Sequence, residues 1–405
     1  YGDDFSTDVD IDGDTLCIAG STTSPYSMPS NTDFATYSYS NAVFLWAMNI
    51  SSSPAYALVY ETLGDTYDTD RYNVLVSCAA KHNVAFLVST SGYGGAAKSY
   101  NDYDVRVTPV DLTDGAPLAD WYFGGSSDEY VVGTDFFQRG NDKFLMMVGY
   151  TYSTGIEDSF PIANAYQSTS MGGRDAFVWV ANVNNVTSSS WQFATFFGGS
   201  NYEDIYDATF DESGNVYVIG SSTSEDLPLK NAYDTYNCGN VEVGCVFLAV
   251  FNLQGELLMS TWMGLYQAGT PSIAVSRLSD GGHLVYLTGY TYSTIQSIEG
   301  YQYNITNATT NYQDIYVRVV YFNAQFTTGQ VRLMSSFGGS DYEYSTGITV
   351  LPNNQFAISG YTSSYDLPQA GNYSDLLGYN AFTTIFSCGS GLYAVNPSPA
   401  PAASG

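Results

Sequence analysis

The tetrapeptide Phe-Gly-Gly-Ser at residues 197–200 opens the stretch that decides the fold, which continues with Gly-Asn-Val-Tyr-Val-Ile-Gly at 214–220 and Ser-Thr-Ser-Glu-Asp-Leu-Pro at 222–228. The same tetrapeptide recurs at 123–126 and 337–340. Weaker copies begin at Tyr1, Leu63 and Met263. Self-similarity at a fixed period indicates a repeat architecture, and the spacing predicts six units of about 67 residues each.

Each unit contains four short runs of β-branched and aromatic residues separated by Gly, Asn and Pro, which is typical of strands joined by tight turns. No segment has the periodicity of a helix. The pattern predicts an all-β fold, a β-propeller of six four-stranded blades in one domain over residues 1–396. We expect the units at 1–62, 63–122, 123–196, 197–262, 263–336 and 337–396, followed by a Pro/Ala/Ser tail or linker at 397–405.

These motifs resemble the seven-bladed β-propeller repeat family. The resemblance rests on the two runs at 214–220 and 222–228, the Phe-Gly-Gly-Ser start and the Asp-Ala-Phe at 175–177 that introduces the third run. It covers nearly the whole chain and is best in units three, four and six. It implies a propeller of secreted or surface proteins that share no catalytic site. The chain differs in having six recognisable units instead of seven.

The charge balance excludes several classes of partner. The 405 residues include 11 Lys and Arg against 40 Asp and Glu, a formal net charge of -29. Such a chain repels phosphate backbones and anionic membranes, so we expect no nucleic-acid partner. Only two histidines, His82 and His283, are present, which excludes a multi-His metal site. No run is long and apolar enough to span a membrane.

Four aspartates near the amino terminus suggest a calcium loop. Asp8, Asp10, Asp12 and Asp14 surround Gly13 in the Asp-x-Asp-x-Asp-Gly order of such loops, but Ala19 stands where the bidentate glutamate is expected. The alternative is a half-buried strand with Val9 and Ile11 facing inward, the aspartates facing outward and a hairpin turn at Asp12-Gly13. Calcium is the one cofactor that the sequence suggests, and none is required.

Acidic residues also recur just after the start of most units. They are Asp3 with Asp4, Asp128 with Glu129, Glu203 with Asp204, and Asp341 with Glu343. Paired carboxylates are the machinery of glycoside hydrolysis. A catalytic pair breaks the symmetry of a repeat, however, whereas an acid that caps a turn obeys it. We therefore expect these residues to be structural and the chain to have no catalytic residues.

Tyrosines in the loop after the second strand are candidates for a ligand-facing surface. The set comprises Tyr150, Tyr152, Tyr290, Tyr292 and Tyr361. Tyrosine presents an apolar face with a polar tip, which suits stacking on sugars. The alternative is that these rings pack between blades.

The cysteines and the acceptor sites for N-glycosylation (sequons) bear on whether the protein is extracellular. Cys238 and Cys245 bracket a short loop and are predicted to form a disulfide, whereas Cys17, Cys78 and Cys388 lie in apolar runs and could equally be buried thiols. Acceptor sites for N-glycosylation stand at Asn49, Asn185, Asn304, Asn307 and Asn372. Their number is close to chance for a chain so rich in Asn, Ser and Thr, so they permit glycosylation without indicating it.

The neutral, hydroxyl-rich and aromatic composition favours a secreted or cell-surface protein. The hypothesis that suits it best is a non-catalytic propeller that serves as a structural subunit of an extracellular coat or filament, through self-assembly or contact with other extracellular surface proteins. A surface adhesin or glycan-binding module is the alternative, and a propeller glycoside hydrolase is the third. The sixth unit has to draw its fourth strand from residues 391–396, so we expect its outer edge, or the tail at 391–405, either to contact a neighbouring subunit or to pair in place.

Overall fold

The computed structural model describes residues 4–22, 42–51, 57–62, 71–91, 102–155, 160–185, 190–236, 244–266, 268–291, 313–352, 355–364, 366–367 and 380–387. The fold is all-β, with six blades of antiparallel strands arranged as a β-propeller, as the repeats predict. Contacts group the chain into two compact units, residues 1–230 with 235–264 and residues 231–234 with 265–405. The expectation of one continuous domain stays a prediction.

The first unit contains four blades, each of four strands in sequential order. Blade 1 comprises β1 (Asp4–Asp12), β2 (Thr15–Thr22), β3 (Ala42–Asn49) and β4 (Ala57–Thr62). Blade 2 comprises β5 (Arg71–Ala79), β6 (Val84–Ser91), β7 (Asp104–Asp111) and β8 (Trp121–Phe123). Blade 3 comprises β9 (Glu129–Arg139), β10 (Asp142–Thr151), β11 (Asp175–Asn182) and β12 (Ser190–Phe197). Blade 4 comprises β13 (Glu203–Phe210), β14 (Val216–Ser222), β15 (Cys245–Phe251) and β16 (Leu257–Tyr266).

The second unit contains the remaining two blades. Blade 5 comprises β17 (Ala268–Arg277), β18 (His283–Thr291), β19 (Asp314–Phe322) and β20 (Gly329–Phe337). Blade 6 comprises β21 (Glu343–Leu351), β22 (Gln355–Thr362) and β23 (Asn380–Ser387). Within the described residues blade 6 therefore has three strands. The segment predicted as its fourth strand, residues 391–396, and the tail at 397–405 lie outside the described residues.

Helical structure in the described part of the chain is limited to a 3₁₀ turn at Ala80–His82. Strands one and two of blades 1 to 5 are joined by short turns, and glycine takes the left-handed conformation in several of them, with φ of +61° at Gly13 and +83° at Gly214. This confirms the hairpin predicted at Asp12-Gly13. Apolar side chains from consecutive blades of one unit interlock to form the core, as Val178 of blade 3 and Phe247 of blade 4 do.

A glycine near the end of the second strand recurs because two neighbours crowd it. A Cβ on Gly220 would overlap the Asp204 carbonyl oxygen of the first strand and lie 2.8 Å from the Phe247 ring of the third. In blade 2 this position holds Ser89, whose partner on the third strand is Arg106 instead of an aromatic residue. The exception to the repeat therefore has a physical reason: the ring that excludes a side chain is replaced along with the glycine.

Candidate functional site

A buried pair of carboxyl groups joins blade 3 to blade 4. Asp175 begins β11 and Glu203 begins β13, and both side chains are fully buried. Glu203 Oε1 accepts hydrogen bonds from Ser222 Oγ at 2.5 Å and Ser224 Oγ at 2.6 Å, and Oε2 accepts from the Gly199 backbone N–H at 3.0 Å. The two carboxyl groups also adjoin each other, since a Cβ on Gly198 would overlap an oxygen of each. Because two carboxylates repel, this contact requires a shared proton.

The same arrangement occurs at two other blade junctions. In each, an aspartate that begins a third strand lies beside the glutamate that begins the next blade: Asp104 with Glu129, and Asp314 with Glu343. Glu129 accepts from the Gly125 N–H at 2.7 Å and Glu343 from the Gly339 N–H at 2.9 Å. These three pairs are called the junction carboxyl pairs below. The structure therefore pairs each glutamate with an aspartate of the preceding blade instead of with its acidic neighbour in the sequence, and a purely structural role for the repeated acids stays a prediction.

The junction carboxyl pairs explain the Phe-Gly-Gly-Ser motif. A Cβ on Gly198 would lie 2.7 Å from Asp175 Oδ1 and would also overlap Glu203, so only glycine leaves room for the pair. The N–H of the second glycine caps the glutamate, as described above. The Ser200 N–H then donates to Asp226 Oδ1 at 2.8 Å, which ties in the Asp-Leu-Pro end of the same repeat. Motifs far apart in the sequence thus meet in one network.

Burial raises the pKa values of these acids. It raises the pKa of Glu129 to about 8, although hydrogen bonds from Ser153, Thr151 and Gly125 oppose the shift. Burial and the neighbouring Glu343 raise the pKa of Asp314 to about 7. Burial also raises the pKa of Glu203. The junction carboxyl pairs therefore hold protons at a pH where exposed acids have lost them.

The aspartates of β1 bind to the neighbouring blade. Asp8 Oδ2 accepts from the Val76 N–H at 2.9 Å, Asp10 Oδ2 from the Cys78 N–H at 2.7 Å and Asp12 Oδ2 from the Lys81 N–H at 3.1 Å. The first strand of blade 2, β5, is an edge strand, so its outward N–H groups need acceptors from outside its own sheet. The alternating aspartates supply them.

This geometry corrects the expected orientation of β1. Val9 and Ile11 are 60% and 54% exposed, so the apolar residues face solvent and the aspartates face inward, the reverse of the prediction. Asp14 lies exposed in the hairpin turn. Alternate residues of a strand are also about 6.5 Å apart, too far for their carboxylates to converge on one ion without bending the strand. No group of three or more His, Cys, Asp and Glu within the described residues could hold a metal, and the four aspartates do not fit calcium.

Of the cysteines, Cys17 and Cys78 form a disulfide with their Cα atoms 5.9 Å apart, a pairing that the sequence left open. It links β2 of blade 1 to β5 of blade 2. Cys245 is also disulfide-bonded, and its predicted partner Cys238 lies outside the described residues. Among the sequons, Asn49 and Asn185 are exposed. The other three, at Asn304, Asn307 and Asn372, lie outside the described residues.

A surface cluster of tyrosines forms where blades 3 and 4 adjoin. Tyr150 stacks on Tyr130 with ring centroids 5.1 Å apart and meets Tyr152 edge-on at 6.5 Å. Arg174, one residue before the junction aspartate, lies over the rings of Tyr150 at 4.9 Å, Tyr202 at 5.6 Å and Tyr152 at 5.9 Å. Tyr152 and Tyr202 are 41% and 52% exposed. The structure thus brings two predicted tyrosines to one exposed surface.

Arg174 holds the cluster together through one ion pair. Its Nη2 donates to Asp204 Oδ2 at 2.6 Å, and its Nη1 donates to the Tyr152 hydroxyl at 3.3 Å. Burial opposes the charge on the guanidinium, but the Tyr152 hydrogen bond and the Asp204 carboxylate outweigh it and raise the pKa of Arg174. Arg174, Asp204, Tyr150, Tyr152 and Tyr202 are called the Arg174 cluster below. Sequence analysis missed Arg174 and Tyr202.

A second group of tyrosines lies in the other unit, on blades 5 and 6. Tyr344 stacks on Tyr361 at 4.8 Å and meets Tyr290 edge-on at 5.0 Å. Tyr342 and Tyr361 are 36% and 37% exposed. Tyr292 lies outside the described residues. Of the five predicted tyrosines, the structure therefore places four, two in each group.

Comparisons with known proteins agree with the fold. Residues 192–228 match the family model described as SBBP, beta-propeller repeat, and the chain is a β-propeller repeat protein with six blades. No curated protein sequence matches the chain. Within the described residues, no helix has the length and hydrophobicity needed to cross a bilayer.

Several solved propellers are similar in structure. A protein of unknown function from Dyadobacter fermentans has a TM-score of 0.43 at 9% identity, covering 88% of this chain and 89% of its own. The α-L-arabinofuranosidase Arb93A from Fusarium graminearum has a TM-score of 0.44 at 10% identity, covering 92% of this chain and 89% of its own. The Trypanosoma rangeli sialidase has a TM-score of 0.39 at 7% identity, covering 93% of this chain and 53% of its own. At TM-scores this low, the likenesses carry no inference about activity.

Proposed function

We propose that the chain is a secreted or cell-surface, non-catalytic β-propeller that serves as a structural subunit of an extracellular coat or filament. The observation that carries the non-catalytic part is the enclosure of the repeated acids. Glu129 and Glu203 have no exposed surface, and glycine N–H and hydroxyl groups occupy their oxygens. A glycosidase needs carboxyl groups that face a bound sugar and a water molecule. The junction carboxyl pairs face neither.

Two observations support an extracellular location. The Cys17–Cys78 disulfide is buried, and such bonds persist mainly in oxidising compartments. Asn49 and Asn185 are accessible to glycosylation. Mass spectrometry of protein from its native source tests both: intact disulfides and glycan on either asparagine support the proposal, whereas free thiols throughout would contradict the location.

Self-assembly is the part of the proposal that needs the most direct test. Within the described residues β23 has one neighbouring strand, β22, and Ile385 on β23 is 59% exposed. Where no fourth strand covers it, the outer edge of β23 would favour pairing with another chain, and a lysine there would oppose it. Sedimentation and negative-stain electron microscopy of the purified chain should show ordered assemblies that Ile385→Lys weakens. Ile50→Lys, at a site 50% exposed on blade 1, is the matched control. A monomer at every concentration would refute assembly by the chain alone.

A second candidate function is a glycan-binding module, which the two exposed tyrosine groups favour. Amphipathic rings at a surface suit contact with sugars better than they suit a fully packed interface. A glycan array separates the two candidates. Saturable binding to one class of sugar favours the binding module, and no binding leaves the structural role.

A further inference from the structure

The Arg174 cluster differs from the rest of its surface in breaking the repeat. The strand registers align Asp204 with Tyr130 of blade 3 and Tyr344 of blade 6, each directly after the junction glutamate. Arg174 occupies the place that Tyr103 holds in blade 2 and Gln313 in blade 5, directly before the junction aspartate. Of the three blade junctions that contain junction carboxyl pairs, this one alone has a charged pair where the others have neutral residues.

Symmetry-breaking residues need an explanation other than the fold. Glu203 accepts two side-chain hydroxyl hydrogen bonds, as Glu129 does at the junction where the flanking residues are tyrosines. The fold therefore does not require Arg174 or Asp204. Isolated surface ion pairs also contribute little to stability. A pair placed among exposed aromatic rings instead suits ligand binding.

We propose that the Arg174 cluster binds a neutral saccharide through two adjacent hydroxyl groups. The inference rests on the glycan-binding function proposed above and names its site. Tyr152 and Tyr202, the two most exposed rings, offer faces for the apolar side of a sugar ring. The guanidinium of Arg174 supplies donors and the carboxylate of Asp204 supplies acceptors side by side, since their atoms are 2.6 Å apart. Adjacent hydroxyl groups match such a pair because each hydroxyl both donates and accepts.

The charges of the Arg174–Asp204 pair and of the whole chain explain why the proposed ligand is a neutral sugar. Asp204 already neutralises Arg174, so an anionic sugar gains little from the guanidinium and is repelled by a chain with a formal net charge of -29. A cationic ligand is disfavoured at the same place because the Arg174 guanidinium already lies over one face of each of the three rings and would repel it. The remaining exposed groups are hydroxyls and ring faces.

Titration calorimetry with lactose, cellobiose and mannobiose tests the site, with sialyllactose as the anionic counterpart of lactose. We expect at least one neutral sugar to bind and sialyllactose to bind more weakly than lactose. Tyr202→Ala and Arg174→Lys should each weaken binding at least about tenfold, because the first removes a ring face and the second removes the planar fork of donors. Tyr166→Ala is the control, since Tyr166 is 44% exposed in the same unit and contacts Phe197 and Phe251 instead. Thermal unfolding of every variant checks that it folds.

Failure of the site and failure of the function give different results. If the chain binds a neutral sugar but Tyr202→Ala and Arg174→Lys bind it as the wild type does, the site is wrong and the glycan-binding function stands. Loss of binding in Tyr361→Ala alone would move the site to the second tyrosine group. If none of the sugars binds and a glycan array is also blank, the site and the glycan-binding function both fail.

Discussion

Raising the pH should destabilise blade 3 through Glu129, and the glutamine variant isolates the effect. Burial raises the pKa of Glu129 to about 8 in the folded chain, from an ordinary value of 4.5. The folded state therefore binds a proton that the unfolded state has released between these values. The stability that Glu129 contributes is fully present below about pH 4.5 and is lost as the pH rises through 8. At 1.36 kcal/mol for each pKa unit, the whole effect is about 5 kcal/mol.

Glu129→Gln keeps the side-chain shape and removes the titration. One amide oxygen still accepts from Thr151 and Ser153, but the Gly125 N–H loses its acceptor, which costs about 1–3 kcal/mol at pH 5. The variant should therefore be less stable than the wild type at pH 5, and the difference should shrink or reverse by pH 9. Glu212→Gln, at an exposed position in the turn after β13, removes the same formal charge and serves as the control.

Urea unfolding followed by tryptophan fluorescence from pH 5 to pH 9 measures the effect. The other junction carboxyl pairs titrate in the same direction, so the wild type should lose stability throughout this range. Glu129→Gln should show a shallower pH dependence than Glu212→Gln. Equal pH dependence in both variants, or a wild type that gains stability between pH 5 and pH 9, would refute the reasoning.

Three further predictions concern single positions, each measured by thermal unfolding. Gly338→Ala places a Cβ against Asp314 and 2.7 Å from Glu343 Oε2, and it should cost about 1–3 kcal/mol. Gly347→Ala is the control, because the nearest atom to its Cβ, Ser359 Oγ, is 3.5 Å away, and it should cost less than about 1 kcal/mol. Equal losses of stability in the two variants would contradict this reasoning. Gly220→Ser introduces the residue that blade 2 tolerates but should cost about 2–4 kcal/mol against the Phe247 ring, and an unchanged melting temperature would overturn the explanation. Replacing Cys17 and Cys78 together by alanine removes a disulfide that spans 61 residues and should cost about 4 kcal/mol, and an unchanged melting temperature would contradict that value.

The repeats made the fold predictable. Four strand-like runs in a fixed order, with glycine turns between them, specify a blade, and six copies specify a propeller. A shared environment for the repeated glutamates was also predictable, because an acid that recurs with the repeat has a repeated environment. Both predictions use symmetry, which a single sequence displays.

The partners of those acids were not predictable from one unit. Asp175 and Glu203 belong to different repeats and meet only because consecutive blades pack side by side. The sequence does contain a signal for this pairing, because the aspartate and the glutamate of a junction are replaced together. Where Ala42 occupies the aspartate position the next unit has Arg71 in place of glutamate, and where Cys245 occupies it the next unit has Ala268.

Two other features could not be predicted from the sequence: which side chains of β1 face inward, and which residues depart from the repeat. Alternation along β1 separates the aspartates from Val9 and Ile11 but does not say which set faces inward. The answer depends on the N–H groups of β5, an edge strand in the next blade. Arg174 was missed because it adjoins the repeated Asp-Ala-Phe motif and looks like a variable residue until the blades are superposed by register.

In the proposed function, the glutamates of the junction carboxyl pairs hold neighbouring blades together and perform no chemistry. The most direct test compares Glu129→Gln, Glu203→Gln and Glu343→Gln for melting temperature and for hydrolysis of chromogenic aryl glycosides. All three variants should lose stability at pH 5 by similar amounts, because each removes the acceptor of one glycine N–H, and neither they nor the wild type should hydrolyse any substrate. A wild-type activity that one of these variants abolishes while its melting temperature is unchanged would contradict the claim.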